Sequence, residues 1–228
     1  MVTHLYALGC SWTEGTDDEY RLGGWVGRLA DKLGCEYTNL GGQGDSNWLQ
    51  YLSFLKQPIH KDSIAVWGLT AFSRLINSKF QTISNDKFDS NFMLKYYSDQ
   101  AVQYQTLVMI HSWQTYCKQH NIDNLIFVSF DDLKRIDGTY NFPNSNHVYP
   151  LLDYSKIITG TTMRNYLDGA KNQCGEVNES LSNVHKKYGR QTNKDRVNLK
   201  YFSRDGHPNA DGYNLWAEYL LERITNEN

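Results

Sequence analysis

Short apolar runs alternate with amphipathic segments along much of the chain. The first run, Thr3 to Leu8, leads directly into a turn at Gly9 and predicts a buried first strand. Residues 25–33 carry apolar side chains at helical spacing and stop at Gly34, a natural helix end, so they predict a helix. Glu36 to Leu40 predicts a second strand. The chain therefore begins as strand, helix, strand.

The alternation continues through the middle of the sequence. Ser46 is a typical N-cap for a helix that ends near Pro58. Ser63 to Gly68 and Leu125 to Phe130 are apolar and rich in β-formers, which predicts a third and a fourth strand, with a helix at about 99–119 between them. Because parallel neighbours need crossover connections, this order predicts a parallel sheet covered by helices.

Two stretches interrupt the pattern. The segment near 71–97 is irregular and polar, and the segment near 131–200 is the least regular part of the chain. Within the second segment we predict a short fifth strand near Lys156 to Thr159 and a short helix near Met163 to Leu167. An amphipathic helix at 209–225 closes the chain. Both irregular stretches are interpreted as insertions in one core fold.

Composition bounds the class of protein. A length of 228 residues suits one α/β domain, so we predict a single domain over residues 1–228. With 40% hydrophobic and 21% charged residues the chain is not wholly disordered. A net charge of −2 argues against an extended surface for nucleic acid or an anionic membrane. The start lacks a basic n-region and no window spans a bilayer, so we expect a soluble protein.

Cysteine usage favours a reducing compartment. Cys10, Cys35, Cys117 and Cys174 lie far apart, with no C-x-x-C pair for zinc or redox chemistry. We therefore expect free thiols in the cytoplasm and no metal site.

Two compositional features have alternative interpretations. Aromatic residues make up 14% of the chain and either line a ligand cleft or pack in the core. The basic cluster at 186–196 is either a positive lid for an anionic substrate or a solvated loop.

Candidate chemistry begins with a serine and a histidine. Ser11 follows the first strand, and ligands of open α/β sheets bind beyond the carboxyl ends of the strands. His207 precedes the last helix, its imidazole suits proton transfer near neutral pH, and Asp205 two residues away can hold its tautomer. A serine in a turn is common, so Ser11 alone is weak evidence.

A glycine-rich turn supplies the third feature. Gly41 to Asn47 follows the second strand, and the N–H of Gly44 can join the N–H of Ser11 in binding a developing oxyanion. By itself the turn is equally an ordinary β–α connection. All three features fall at one predicted edge of the sheet, in the order nucleophile, oxyanion donor, base.

This arrangement resembles the SGNH/GDSL hydrolases. The segment Gly9-Cys10-Ser11-Trp12-Thr13 is similar to block I of that family, Gly41 to Asn47 to block II, and Asp205 to Pro208 to block V. The resemblance implies a three-layer α/β/α flavodoxin-like sandwich with a central parallel sheet of about five strands, and neither a metal nor an organic cofactor. The G-C-S-W-T opening also resembles small SGNH-like proteins encoded by tailed bacteriophages, for which the compartment would be the host cytoplasm.

The sequence departs from the family in two places. Block III should read Gly-x-Asn-Asp, whereas this chain reads Gly68-Leu69-Thr70-Ala71, so the Thr70 hydroxyl or the Asn47 amide would have to replace an oxyanion donor. Block V usually places Asp three residues before His, and here the gap is two. Either Asp205 completes a triad, or Ser11 and His207 act as a dyad assisted by a backbone carbonyl.

The resemblance implies a serine esterase or acylhydrolase acting on a small-molecule or glycan ester, for example an O-acetylated carbohydrate. The assigned catalytic residues are Ser11, His207 and Asp205, and the assigned oxyanion or substrate-binding residues are Gly44, Asn47, Thr70 and Trp12. The alternative is a catalytically degenerate binding module, such as a phage accessory protein. A nucleotide-binding Rossmann-like protein has little support, because no G-x-G-x-x-G follows the first strand.

Overall fold

The structure is a computed structural model that describes residues 2–15, 23–71, 74–76, 82–83, 99–130, 147–170, 200–203 and 206–226. The strands are β1 His4–Gly9, β2 Glu36–Gly41, β3 Ser63–Leu69, β4 Leu75–Ile76, β5 Thr82–Ile83 and β6 Asp123–Val128. The α-helices of these ranges are α1 Ser11–Glu14, α2 Gly24–Leu33, α3 Asn47–Phe54, α4 Asp99–Gln119, α5 Met163–Ala170 and α6 Ala210–Asn226. Short 3₁₀ helices cover Tyr149–Leu151 and Tyr154–Lys156.

A parallel sheet forms the centre of the fold, with strand order β2-β1-β3-β6. Strand β1 is therefore flanked by β2 and β3, and Leu8 lies opposite Leu40 on one side and Trp67 on the other. Strand β6 pairs with β3 from Ile64 opposite Asp123 onwards. Since all four strands run in one direction, their carboxyl ends form one edge, as predicted.

Alternate side chains of each strand face opposite layers. Leu5 and Ala7 of β1 belong to one apolar cluster, which α2, α5 and α6 cover. Tyr6 and Leu8 belong to the other, which α3 and α4 cover. Strands β1 and β3 are buried along their whole length and therefore read as continuous apolar runs, whereas β2, at the edge of the sheet, is only partly buried. The predicted three-layer α/β/α arrangement is confirmed.

Most of the predicted elements lie where the sequence placed them. Helix α4 has the predicted bounds, and α3 begins after Ser46, whose Oγ accepts a hydrogen bond from the backbone N–H of Leu49 at 3.4 Å. Helix α2 ends at Gly34, which has a left-handed backbone. The predicted short helix at 163–167 is α5, which extends to Ala170.

The predicted fifth strand is wrong in extent. Ile157 makes a single parallel bridge to Ile126, at the edge of the sheet beyond β6. The 3₁₀ helix that ends at Lys156 and the bend at Gly160 leave too few residues for a strand. The described sheet therefore has four strands and one extra bridge. In the first irregular stretch, the short strands β4 and β5 pair in an antiparallel manner.

The aromatic residues of the described chain mainly build the core. Trp25, Trp67, Trp113 and Trp216 are completely buried. Replacing one such ring by Ala typically costs about 3 to 5 kcal/mol of stability. Of the two interpretations of the aromatic content, the structure favours packing.

Three of the four cysteines lie in the described ranges. Cys10, Cys35 and Cys117 are free thiols, and Cys174 lies outside the described ranges, as does the basic cluster at 186–196. None of the helices in the described ranges combines the length and apolar character needed to cross a membrane.

Candidate active site

A sharp strand-to-helix turn presents Ser11. Strand β1 ends at Gly9, Cys10 keeps an extended backbone, and α1 begins at Ser11 itself. As the first residue of a helix, Ser11 has no intrahelical acceptor for its N–H. A Cβ on Gly9 would lie 1.9 Å from Oγ1 of Thr13, so only glycine lets the chain turn this tightly. Ser11 is 9% exposed, so only a small part of its surface is accessible.

His207 faces that serine. Its Nε2 atom lies 3.0 Å from Oγ of Ser11, although 196 positions separate the two residues in the sequence. A distance of this size lets a histidine take the proton of a hydroxyl nucleophile. The pair that the sequence predicted is therefore brought together.

The backbone around His207 is fixed from both sides. Ser203 donates two hydrogen bonds to the His207 carbonyl, from its N–H at 2.8 Å and from its Oγ at 2.9 Å. Gly206 takes a left-handed backbone at φ 90° to close this turn. On the other side Asn209 accepts from the N–H of Gly212 at 3.0 Å and so caps α6. These bonds fix the backbone position from which the imidazole reaches Ser11.

Which nitrogen of the His207 imidazole carries the proton decides whether the ring can act as a base toward Ser11. For Nε2 to accept the Ser11 proton, the neutral ring must carry its own proton on Nδ1, and that N–H needs an acceptor. Asp205, the predicted acceptor, lies outside the described residues. Its role stays a prediction.

The glycine turn after β2 packs directly against the serine turn. The N–H of Gly42 donates to the carbonyl of Gly9 at 3.1 Å. A Cβ on Gly41 would approach the backbone N of Glu14 to 2.4 Å. Gly44 takes a left-handed backbone at φ 76°, and within the described part of the chain its N–H meets no acceptor. This N–H is therefore available at the site edge, and its role as an oxyanion donor stays a prediction.

Asn47 and Thr70 are joined to each other. Oδ1 of Asn47 accepts from the backbone N–H of Thr70 at 2.8 Å, and Nδ2 donates to the Thr70 carbonyl at 3.3 Å. Both residues are buried. The Asn47 amide thus holds the end of β3, which leaves the Thr70 hydroxyl as the better placed of the two predicted substitutes for the missing donor.

Sequence reasoning missed Arg74. Its Nη1 donates to Oγ1 of Thr70 at 2.7 Å and to the carbonyl of Asp45 at 3.2 Å. Its guanidinium carbon lies 5.8 Å from the ring centroid of Phe130. Arg74 therefore connects the turn after β2 with the ends of β3 and β6. Because it belongs to the irregular stretch after β3, no periodic pattern in the sequence marked it.

Arg74 also influences a partly buried acid, Asp45. Burial raises the pKa of the Asp45 carboxyl, and the positive charge of Arg74 opposes that rise. The carboxylate packs against Gly42, where a Cβ would lie 2.2 Å from Oδ2. A cation and a partly desolvated acid thus lie beside the candidate oxyanion donors.

Trp12, predicted to contact substrate, packs in the core. It is 7% exposed, and its ring lies 5.1 Å from that of Phe130 and 5.9 Å from that of Phe202, measured between centroids. The ring joins the serine turn to the end of β6 and to the loop that carries His207. A direct contact with ligand stays a prediction.

Other features of the described residues lie apart from this site or do not form one. A groove of about 370 Å³ lies near the amino end of β6, where His111, Gln114, Asn124 and Asp153 line it. The carboxyl ends of the strands, where Ser11 lies, form the opposite edge. No group of three or more His, Cys, Asp or Glu side chains within the described ranges is arranged to hold a metal ion.

Comparison with known proteins gives matches in structure alone. No family model matches the chain, and no curated protein matches its sequence. Several solved structures resemble it along nearly their whole length, at low identity. A protein described as a lipolytic protein of the G-D-S-L family, from Desulfitobacterium hafniense, is 14% identical with a TM-score of 0.47, covering 97% of this chain and 99% of its own.

Two further matches are similar in extent. A member of the lipolytic G-D-S-L family from Veillonella parvula is 15% identical with a TM-score of 0.45, covering 98% of this chain and 99% of its own. A GDSL-like lipase from Bacteroides thetaiotaomicron is 13% identical with a TM-score of 0.44, covering 99% and 89%. At these identities the matches concern the path of the backbone alone.

Proposed function

We propose that this chain is a serine esterase or acylhydrolase with Ser11 as nucleophile and His207 as general base. The observation that carries this proposal is the 3.0 Å distance between Oγ of Ser11 and Nε2 of His207, at the carboxyl edge of a parallel sheet. A serine hydroxyl is a weak nucleophile until an adjacent base removes its proton. A histidine held by its own backbone at this distance is such a base.

The reaction proceeds through an acyl-enzyme. Nε2 of His207 takes the Ser11 proton as Oγ attacks the ester carbonyl carbon, and the carbonyl electron pair moves onto oxygen. When the C–O bond to the alcohol breaks, Nε2–H gives that proton to the leaving oxygen. Water then attacks the acyl-serine with His207 again as base, and the acid departs as Ser11 regains its proton.

Charge on the carbonyl oxygen needs donors that are already in place. We assign this role to the backbone N–H groups of Ser11 and Gly44. The unused N–H of Gly44 and the contact between the two turns support the assignment. We assign Asp205 as the acceptor of the hydrogen bond from Nδ1–H of His207. This bond would leave Nε2 unprotonated and able to take the Ser11 proton.

The substrate is proposed to be an ester of a small acid, on a small molecule or a glycan. A serine that is only 9% exposed is reached more readily by a short acyl group than by a bulky one. Acetate esters, including O-acetylated carbohydrates, are therefore the first class to test. No nucleic acid or membrane takes part in the proposed reaction.

A fluorophosphonate probe tests the nucleophile directly, because it phosphonylates an activated serine. We expect the wild-type protein to be labelled, Ser11→Ala to lose labelling completely, and His207→Ala to react at least about 100-fold more slowly. Peptide mapping of the labelled protein should place the adduct on Ser11.

Matched controls separate activation from folding. Ser53→Ala, in α3, and His120→Ala, exposed after α4, remove the same groups away from the site and should label at the wild-type rate. Failure to label folded wild-type protein would overturn the proposal. It would favour a catalytically inactive binding module, for which the threonine at the block III asparagine position is the supporting observation.

A further inference from the structure

The hydroxyl of Thr70, the residue after β3, has a proton for which no acceptor has been named. Both backbone groups of Thr70 are bonded to Asn47, and Oγ1 accepts from Nη1 of Arg74 at 2.7 Å. Arginine has only donors, so the Thr70 oxygen must be the acceptor in this bond. A hydroxyl carries one proton, and this one is left to be donated elsewhere.

No protein group in the described ranges takes that proton. Thr70 is completely buried, and no acceptor for its hydroxyl lies among the residues that the structure describes. A buried hydroxyl proton without a partner carries a free-energy cost of about 1 to 3 kcal/mol. A group of this kind in a native fold calls for an explanation, and a use in a site is one.

The position of Thr70 gives that use. Strands β1 and β3 are parallel neighbours in register, and a Cβ on Gly9 would lie 3.2 Å from the carbonyl of Gly68. Ser11 lies two residues beyond Gly9, and Thr70 lies two residues beyond Gly68. The nucleophile and the unassigned hydroxyl thus leave adjacent strands at the same edge of the sheet.

We propose that Arg74 is a positioning residue that orients the Thr70 hydroxyl as the third oxyanion donor. This inference rests on the proposed esterase function. Arg74 binds the acceptor side of Oγ1, which turns the proton toward the oxygen that becomes negative when Ser11 attacks. Its positive charge polarises the O–H bond and strengthens it as a donor. No proton is transferred, and the bond strengthens only as negative charge develops.

Substitutions at the two positions test the pairing. Thr70→Val keeps the shape of the side chain and removes the hydroxyl, and Arg74→Met keeps much of the stem and removes the charge. Each should lower kcat for an acetate ester by about 100-fold with KM changed little, because the lost interaction belongs to the transition state. Thr70→Ser should keep most of the activity.

A double-mutant cycle shows whether Thr70 and Arg74 act together or independently. If Arg74 acts through Thr70, the variant with both Thr70→Val and Arg74→Met should be no slower than either single variant. Restoring an amide donor with Thr70→Asn should make turnover independent of Arg74. Losses that multiply in the double variant, or wild-type kcat in Thr70→Val, would overturn the inference.

The fluorophosphonate rate keeps this test distinct from that of the proposed function. Phosphonylation also places negative charge on an oxygen that faces the donors, so the rate should fall in Thr70→Val and Arg74→Met. Absent labelling of wild type overturns the esterase and this inference together, whereas equal rates in wild type and Thr70→Val overturn this inference alone. Thr106→Val, buried in α4, and Arg223→Met, exposed on α6, are matched controls expected to react normally.

Discussion

Asn47 holds Thr70 by both of its backbone groups, with 2.8 Å between the Thr70 nitrogen and Oδ1 and 3.3 Å between Nδ2 and the Thr70 oxygen. The first residue of α3 is thereby tied to the residue that follows β3. A parallel strand that ends at a site has no further ladder partner for its last groups, and here a side-chain amide replaces one. The direction in which the chain leaves β3 depends on this amide.

Replacing Asn47 by Ala should therefore weaken both the fold and the site. The change leaves a buried N–H and a buried carbonyl without partners, and we expect the free energy of unfolding to fall by about 2 kcal/mol. Urea denaturation followed by tryptophan fluorescence measures this loss. Asn214→Ala, at an exposed position of α6, should stay within about 0.5 kcal/mol of wild type. Equal stability of the two variants would contradict a stabilising role for the Asn47–Thr70 hydrogen bonds.

The two glycines at the ends of β1 and β2 make a second prediction. Gly9→Ala would place a Cβ 1.9 Å from Oγ1 of Thr13, and Gly41→Ala would place one 2.4 Å from the backbone N of Glu14. Because either clash must push the serine turn aside, both variants should lose about 1 to 3 kcal/mol and label slowly with the fluorophosphonate. Labelling rates measured where each variant is still folded give the answer.

Gly160→Ala is the matched control for that experiment. A Cβ there meets nothing within 4 Å, so stability and labelling should both be unchanged. Labelling of Gly9→Ala at the wild-type rate would mean that the serine turn does not need this close approach.

The strands and the edge of the sheet that carries the site could be predicted because each produces a local pattern in the sequence. Residues buried on both faces of a sheet give unbroken apolar runs, which is why β1 and β3 were found within a residue or two of their ends. Ser11 lies two residues after β1, and His207 lies three residues before α6. The parallel topology accounts for Ser11 lying at the carboxyl edge, and the structure places His207 3.0 Å from it.

What the sequence did not predict depends on partners far apart in the chain. The contacts of Arg74 with Asp45, Thr70 and Phe130 join residues that follow three different strands. No spacing in the sequence encodes such a meeting. The prediction of a short fifth strand was wrong because of local structure. Ile157 and Ile158 are buried as residues of a strand would be, yet the flanking turns allow only one bridge.

A buried histidine at the amino end of the sheet leads to a prediction about pH. His4 stacks on His60 with ring centroids 4.1 Å apart, and its Nε2 lies 2.9 Å from Oγ1 of Thr38. Burial lowers the pKa of His4, the nearby His60 lowers it further, and the charge of Glu36 opposes both. The folded state thus holds His4 neutral at a pH where the unfolded chain, with a pKa of about 6.5, begins to bind a proton.

The sign of the effect follows from proton linkage. Where the unfolded state binds more protons, stability rises with pH, so the contribution of His4 is complete above about pH 6.5 and is lost as the pH falls through the lowered pKa of the folded state. We expect the free energy of unfolding to drop between about pH 7.5 and pH 5.5, and His4→Gln to reduce that drop. Urea denaturation at each pH measures it. His120→Gln, exposed after α4, should leave the drop unchanged, and equal drops in wild type and His4→Gln would contradict the assignment.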